Sequence, residues 1–355
     1  MTLLWMEGFE LHEHVTALGR KYDAGSTNVA GAVFAAGRRF GRAMRAPSNE
    51  RTVLRTPYMS GEVRFTQGMA FRMTGGVYNS GGGTWWLFGF YEDPAGAQTK
   101  LEMITGPSGT GFVKLRVSLA GNPLGESQEF PTPSNWNYLE WRVYLHASAG
   151  TVEVRLNQAV IISLTGINTG VSGNIHAEFG CGAETSQQFD IDDMYVLDDG
   201  GTDTEYQSFL GDVCVKGALP TSDGSPSAWT PSTGTDRYAV VDDAPTTAAP
   251  EDDYLSDTGY VQQMVGLNSL QEVISDVLGI QIDALHRIDA GPGFETLEIR
   301  HSATLGGTPQ LIGAGLTNST TPDYLSEVAQ QDPATSKRFD IDAIAQGYIG
   351  VEKDF

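Results

Sequence analysis

Apolar and polar residues alternate with a period of two over much of the first half of the chain, the pattern of strands with one buried face. Residues 61–73 place Val63, Phe65, Met69, Phe71 and Met73 on one side. Residues 111–119 alternate through Phe112, Lys114, Leu115, Arg116 and Val117. Residues 138–146 set Leu139, Trp141, Val143 and Leu145 inward against Glu140, Arg142 and Tyr144 outward, and residues 151–156 and 159–164 continue the pattern. Ala149-Gly150 and Asn157-Gln158 mark the tight turns between these strands. Residues 84–91, TWWLFGFY, are apolar throughout, as in a strand buried on both faces. Further strands are predicted over residues 3–9, 100–105, 175–181 and 194–197, and residues 33–45 mix a strand signal with arginines.

A Gly/Asp-rich joint over residues 198–204 separates this half from a strand-like run at 209–215. Five prolines then cut residues 212–253 into an extended, turn-rich arm in which residues 244–250 are low in complexity. In residues 260–278, Met264, Leu267, Leu270, Ile274, Val277 and Leu278 fit a helical face better than alternation, predicting one short helix over 269–277. Strands follow at 279–288, 295–302, 323–329 and 348–351, with a turn at 289–293. The chain therefore reads as all-β, with a domain at 1–199, a hinge and arm at 200–253 and a smaller β-sandwich-like domain at 254–355.

Composition sharpens this picture. The 43 glycines and the aromatic content of 10% suit short strands joined by tight turns. The formal net charge of -22 is unevenly spread: residues 1–200 hold 15 basic and 20 acidic side chains, residues 201–355 hold 7 and 24. A field of that sign argues against a nucleic-acid partner. Six arginines fall between Arg38 and Arg55 with Glu50 as the only acid; they read as stems packed over a sheet face in preference to a patch for an anionic partner. Cys181 and Cys214 lack metal-ligand spacing and read as two buried free thiols, with a disulfide across the joint as the alternative. No apolar run is long enough to span a membrane, and the first residues lack a signal-peptide pattern, so synthesis without export by the general route is expected.

The order "YLEWRVYLHASAGTVEVRLNQAVI", a Gly/Thr turn, and then "FDIDDMYVLD" resembles the concanavalin A-like lectin/glucanase jelly roll in its laminin-G/pentraxin form. The opening "MEGFE" looks like the first strand of that module. The resemblance covers residues 1–199 and implies a sandwich closed by the "FDIDDMYV" strand; Gln158 departs from it, standing where the hairpin usually has glycine. "FLGDVCVKGALPTSDGSPSAWTPSTGTDRYAVVDD" and "DYLSEVAQQDPATSKRFDIDAIAQGYIGVE" are similar to stretches of tailed-bacteriophage virion proteins, with Phe339 where a tryptophan is expected. That likeness implies a virion component: a tail-fibre or tail-tip attachment subunit, or else a head fibre or capsid decoration. Its implied partners are other virion proteins, copies of itself and a host-surface glycan.

Chemistry is sparse in the pattern. A glucanase of this fold needs two carboxylates across a cleft, and the usual Glu-x-Asp-x-x-Glu spacing is missing. A non-enzymatic protein is expected, with a lectin or degraded glucanase as the rival. Asp190, Asp192 and Asp193 are the weak calcium candidates, weighed against a role in capping strand-end amides. His12 and His14 lack a third ligand. Trp85, Trp86 and Tyr91 read as core before they read as a sugar platform, and Trp229 as an anchor for the arm.

Overall fold

The computed structural model describes residues 2–12, 18, 21–22, 26–39, 41–46, 51–57, 59, 64–74, 84–92, 96–105, 111–170, 175–182, 188–198, 209–242, 253–257, 262–267, 276–287, 296–317, 320, 323–340, 344 and 347–354. Two compact units divide the chain, Met1–Lys216 and Gly217–Phe355.

The first unit runs β1 (Thr2–Glu7), β2 (Val33–Ala36), β3 (Arg42–Ala46), β4 (Arg51–Arg55), β5 (Arg64–Thr74), β6 (Thr84–Glu92), β7 (Gly96–Thr105) and β8 (Phe112–Leu119). It continues with β9 (Asn122–Glu126), β10 (Phe130–Pro131), β11 (Asn137–Tyr144), β12 (Gly150–Leu156), β13 (Ala159–Ile167), β14 (Ile175–Gly182) and β15 (Gln188–Asp198). One antiparallel sheet has the order β13-β12-β11-β5-β15-β3-β2, with β1 also on β15; the other has β10-β8-β7-β6-β14-β4, with β9 on β8. The chain returns to the middle of the first sheet for its last strand, so β15 closes the sandwich between β5 and β3.

The alternating residues meet between the sheets. Phe65, Met69, Phe71, Leu139, Trp141, Val143, Val152, Val154, Phe189 and Ile191 face Phe88, Phe90, Leu101, Met103, Leu115, Val117 and Phe179 in one buried cluster. The Trp141 ring stacks with Phe88 and Phe90 at centroid distances of 5.9 and 5.3 Å. Its indole N–H would be stranded there; Gln67 accepts it at 2.6 Å and donates its own amide to the Glu178 carbonyl at 3.2 Å. One core amide thus ties β5 and β11 of one sheet to β14 of the other. At the hairpin between β12 and β13, Asn157 and Gln158 both take positive φ, 49° and 69°. The Asn157 side chain accepts from the Tyr138 N–H at 2.8 Å, so the turn is locked to β11.

The sandwich follows the alternation, with instructive departures. Arg51–Arg55 forms β4, a strand whose terminal arginines disguise its apolar centre. Residues 209–215 look like a strand but join no ladder; they lie against the outer face of the first sheet. That cover corrects the placement of Glu140, which is outward by register but 1% exposed.

The second unit contains β16 (Pro220–Ser227), β17 (Thr230–Pro231), β18 (Leu255–Ser256), β19 (Gln262–Leu267), β20 (Ile280–His286), β21 (Thr296–Ser302), β22 (Gln310–Thr317), β23 (Asp323–Ala329), β24 (Gln331–Asp332), β25 (Lys337–Arg338) and β26 (Tyr348–Asp354). Its main sheet is β16-β19-β26-β21-β22, and β20 pairs with β23. Ile282, Leu297, Ile299, Ile312 and Leu325 form the core, and Trp229 of the arm packs against it. The arm is therefore partly ladder: Pro220–Ser227 is an edge strand on β19, where a proline costs no inner hydrogen bond. The helical reading of residues 260–278 is corrected over 262–267, which are strand. Met264 and Val265 are both buried because both faces of β19 are covered, and the alternation that would have identified it is lost. The helix expected at 269–277 falls largely outside the described residues. Among the described residues, no helix is long and apolar enough to cross a membrane.

Gln158 carries the steric cost of a left-handed backbone that glycine would avoid. Gln158→Gly is expected to stabilise the first unit by about 1 kcal/mol, read as a higher urea midpoint with unchanged slope.

Candidate functional site

Two polar surfaces are built on the first unit. The first lies along β15, which carries Asp190, Asp192, Asp193 and Asp198 into the middle of a sheet. Asp190 is fully buried. It accepts Arg45 Nε at 2.6 Å and Nη2 at 2.8 Å, and Arg72 Nε at 2.8 Å. The register supplies this geometry, since Asp190 lies opposite Arg45 on β3 and Arg72 on β5.

Beyond Asp190 the strand bulges. Asp192 pairs with Ala70 and Tyr195 with Gly68, leaving one extra residue in β15. Asp193 takes φ 50° there. Gly68 is required beneath Tyr195, because a Cβ would sit 2.1 Å from the ring. The ring crosses Gly68 so that the phenol donates to Glu140.

This face holds residues 209–216 through a series of side-chain contacts. The Leu210 N–H donates to the Tyr195 hydroxyl at 3.3 Å, Gly211 N–H to Glu140 at 2.9 Å and Val215 N–H to Asp193 at 2.8 Å. Arg38 reaches Asp193 with Nε at 2.7 Å and binds the Asp212 carboxylate and the Val213 carbonyl. A recess of about 380 Å³ remains between Glu140, Arg155 and Gln158 on the sheet and Phe209, Leu210, Gly211 and Asp212 on the segment.

The calcium candidates therefore divide. Asp190 belongs to its two arginines, whereas Asp192 and Asp193 join Glu10, with ligand oxygens within 4.8 Å of one another. Asp193 gives one oxygen to Arg38 and the other to Val215 N–H. Asp192 gives one to the Arg38 N–H at 2.7 Å and the other to the Asp193 N–H at 2.8 Å. A calcium ion needs six to eight oxygens, and here it would have to displace the Arg38 guanidinium. The crowding of negative charge favours the protonated form of two of these carboxyls. Burial and then the Asp192 charge push Glu10 up to about 10. Burial and then Asp193 push Asp192 up to about 8.

Each of the six arginines is engaged by a carboxylate or an aromatic ring. Arg38, Arg45 and Arg55 pair with Asp193, Asp190 and Glu178, and Arg39 lies 3.4 Å from Asp212. Arg42 and Arg51 lie over the rings of Phe34 and Trp86. His12 is spent on Glu7, which also binds Lys21 at 2.8 Å; His14 lies outside the described residues. Cys214 is a free, half-buried thiol on the docked segment, and the Cys181 side chain lies outside the described residues.

The second surface is the outer face of the β10-to-β4 sheet. Trp85 points into the core, whereas Trp86 points out. Register aligns one outward row across five strands: Arg55, Glu178, Gly89, Lys100 and Ser118. The next row holds Trp86, Glu102, Arg116 and Glu126. Arg55 holds Glu178 Oε1 at 2.8 Å, and Arg116 holds Glu102 at 3.0 Å. Lys100 Nζ stands 3.7 Å from the Trp86 ring centroid. Sequence reasoning passed over Gly89 and Lys100, because only register shows that they share a row with Glu178.

Two outcomes test the first surface. Asp190→Asn leaves two guanidiniums around a neutral amide and is expected to cost about 3–5 kcal/mol of stability, measured by urea unfolding. Asp192 holds in the folded state a proton that the unfolded chain releases near the ordinary carboxylate range. Its contribution is therefore present at acid pH and is lost as pH rises through about 8. Stability measured from pH 5 to pH 9 is expected to fall, and Asp192→Asn is expected to flatten that slope.

No protein-family model matches the sequence, and no curated protein matches it. Solved structures show a distant likeness to part of the chain. Alginate lyase Aly36B is 10% identical with a TM-score of 0.38, over 54% of this chain and 92% of its own. Alginate lyase vAL-1 from Chlorella virus is 13% identical with a TM-score of 0.37, over 56% and 100%. The carbohydrate recognition domain of Emp47p is 17% identical with a TM-score of 0.33, over 46% and 88%. At these identities and TM-scores the likeness carries no conclusion about this chain; its own topology is that of two packed antiparallel sheets.

Proposed function

We propose that the chain is a non-catalytic structural component of a tailed-phage virion, serving attachment at the tail fibre or tail tip. Its partners are other virion proteins, copies of itself and a host-surface glycan; a head fibre or capsid decoration is the other placement. The observation that carries this reading is the condition of the stretch with the virion likeness. Residues 209–216 are fixed to the closing strand by Arg38, Asp193, Glu140 and Tyr195. The same stretch continues into an edge strand, Pro220–Ser227, of the second unit. A segment fixed by specific side chains of the first unit suits an assembly subunit, whose parts must be reproducible from copy to copy.

A second reading, a carbohydrate-binding lectin, is favoured by the polar row on the outer face of the second sheet. Mass spectrometry of purified particles is expected to find the chain at a fixed ratio to the other virion proteins. Its absence from the particles would sink the virion reading and leave the lectin reading standing.

A further inference from the structure

Glu10 follows the end of β1 and is wedged between two glycines. A Cβ on Gly8 would lie 2.4 Å from Glu10 Oε2, and a Cβ on Gly41 would lie 2.4 Å from Glu10 Cγ. The same point above Gly8 is 2.8 Å from the Val215 carbonyl oxygen. Glu10 Oε2 and that carbonyl therefore crowd one spot, where an ionised carboxylate would set acceptor against acceptor. Asp192 and Asp193 add to the crowd, with carboxylate oxygens within 4.8 Å of that of Glu10. Val215 thus meets the cluster with both backbone groups: its N–H donates to Asp193 at 2.8 Å, and its C=O faces Glu10. Among the described residues, the other titratable or charged groups that bear on this cluster are Glu7 on β1, Arg38 and Arg39 between β2 and β3, and Cys214 on the docked segment. Asp212 of the segment is held by the same two arginines.

We propose that Glu10 and Asp192 form a proton-operated clasp: with both protonated, residues 209–216 stay docked on the closing strand, and with both ionised the segment lets go from its Val215 end. The balance of charge sets the direction. With both protons in place, Arg38 faces one carboxylate, Asp193, and bonds it at 2.7 Å. Without them it faces three, and the O–H between Glu10 and the Val215 carbonyl is gone. Undocking lets water reach the cluster and returns both carboxyls toward their ordinary range, so docking is linked to proton uptake. Both groups are shifted in the direction this requires, Glu10 up to about 10 and Asp192 up to about 8, by burial first and neighbouring carboxylates second. A docked value above the undocked one gives a contribution that is complete at acid pH and is lost as pH rises through the docked values. At the far end Glu140 accepts from Gly211 N–H at 2.9 Å, a bond that ionisation strengthens, so release starts at Val215. The clasp acts on the last residues of the first unit, Met1–Lys216, and so sets how much of the chain leading to Gly217 is free. It regulates the segment invoked for assembly, yet it is a property of the first unit alone and does not rest on the virion reading.

The test uses the full chain and amide hydrogen exchange resolved to single residues, expressed as protection factors so that the intrinsic pH dependence is removed. From pH 6 to pH 9 the protection of the Val215 amide is expected to fall at least about tenfold and to recover on return to pH 6. Near-ultraviolet circular dichroism is expected to show the sandwich still packed at pH 9. Glu10→Gln and Asp192→Asn keep a donor in place of each acid proton and remove the ionisation. Each is expected to reduce the loss of Val215 protection, and the double variant to abolish it. Carbon-13 NMR of the side-chain carboxyls in the wild-type protein locates the two titrations without any substitution. The inference is overturned if Val215 protection is the same at pH 6 and pH 9, or if the sandwich unpacks over that range. It is also overturned if the folded double variant loses protection as the wild type does, or if Glu10 and Asp192 both titrate in the ordinary carboxylate range. None of these outcomes bears on whether the chain is present in particles, which the mass-spectrometric test decides.

Discussion

A carboxylate can occupy the centre of a sheet only if cations or amide donors replace the water it loses. β15 imposes that condition repeatedly, because it runs between β5 and β3 and still carries Asp190, Asp192, Asp193 and Asp198. Each of the first three has its own solution. Asp190 takes two guanidiniums, Asp193 takes Arg38 and a backbone N–H, and Asp192 takes two backbone N–H groups and a proton. The arginine-rich stretch of the sequence is the counterpart of this acidic strand. The two runs are about 150 residues apart in the chain and adjacent in the sheet.

The condition also explains why residues 209–216 are where they are. A sheet face bearing Glu140, Tyr195 and Asp193 presents acceptors, and an irregular segment with free N–H groups presents donors. Docking the segment satisfies both sides without a ladder. The outer face of the second sheet is different: there Glu178 Oε2 and the Trp86 indole N–H have no hydrogen-bond partner among the described residues and pack onto Gly89.

The sandwich was legible wherever one face of a strand is buried and the other wet. Phe65, Met69 and Phe71, or Leu139, Trp141 and Val143, alternate because the sheet makes them alternate. The Asn157 turn was legible because asparagine tolerates the left-handed backbone. Legibility failed where that asymmetry vanished. Met264 and Val265 are covered on both sides and imitate a helical stripe, and residues 209–215 imitate a strand while joining no ladder. Glu140 looked like a solvated residue because nothing near it in sequence announces the cover from Gly211. The acidic cluster around Asp192 was visible, but Glu10 was not part of it until β1 and β15 paired. The packing of Trp86 and Glu178 onto Gly89 was invisible, since it depends on register between β6 and β14.

The docked segment also sets how the first unit would carry a load. A β-ladder resists pulling along its length because many bonds break together. Residues 209–216 instead hang from separate points: Val215 on Asp193, Val213 and Asp212 on Arg38, Gly211 on Glu140 and Leu210 on Tyr195. Tension applied at Lys216 meets these points one after another, so the segment peels and does not shear. One of them, Asp193, sits in the bulge of the closing strand, so a pull on the tether is carried into the centre of the sheet.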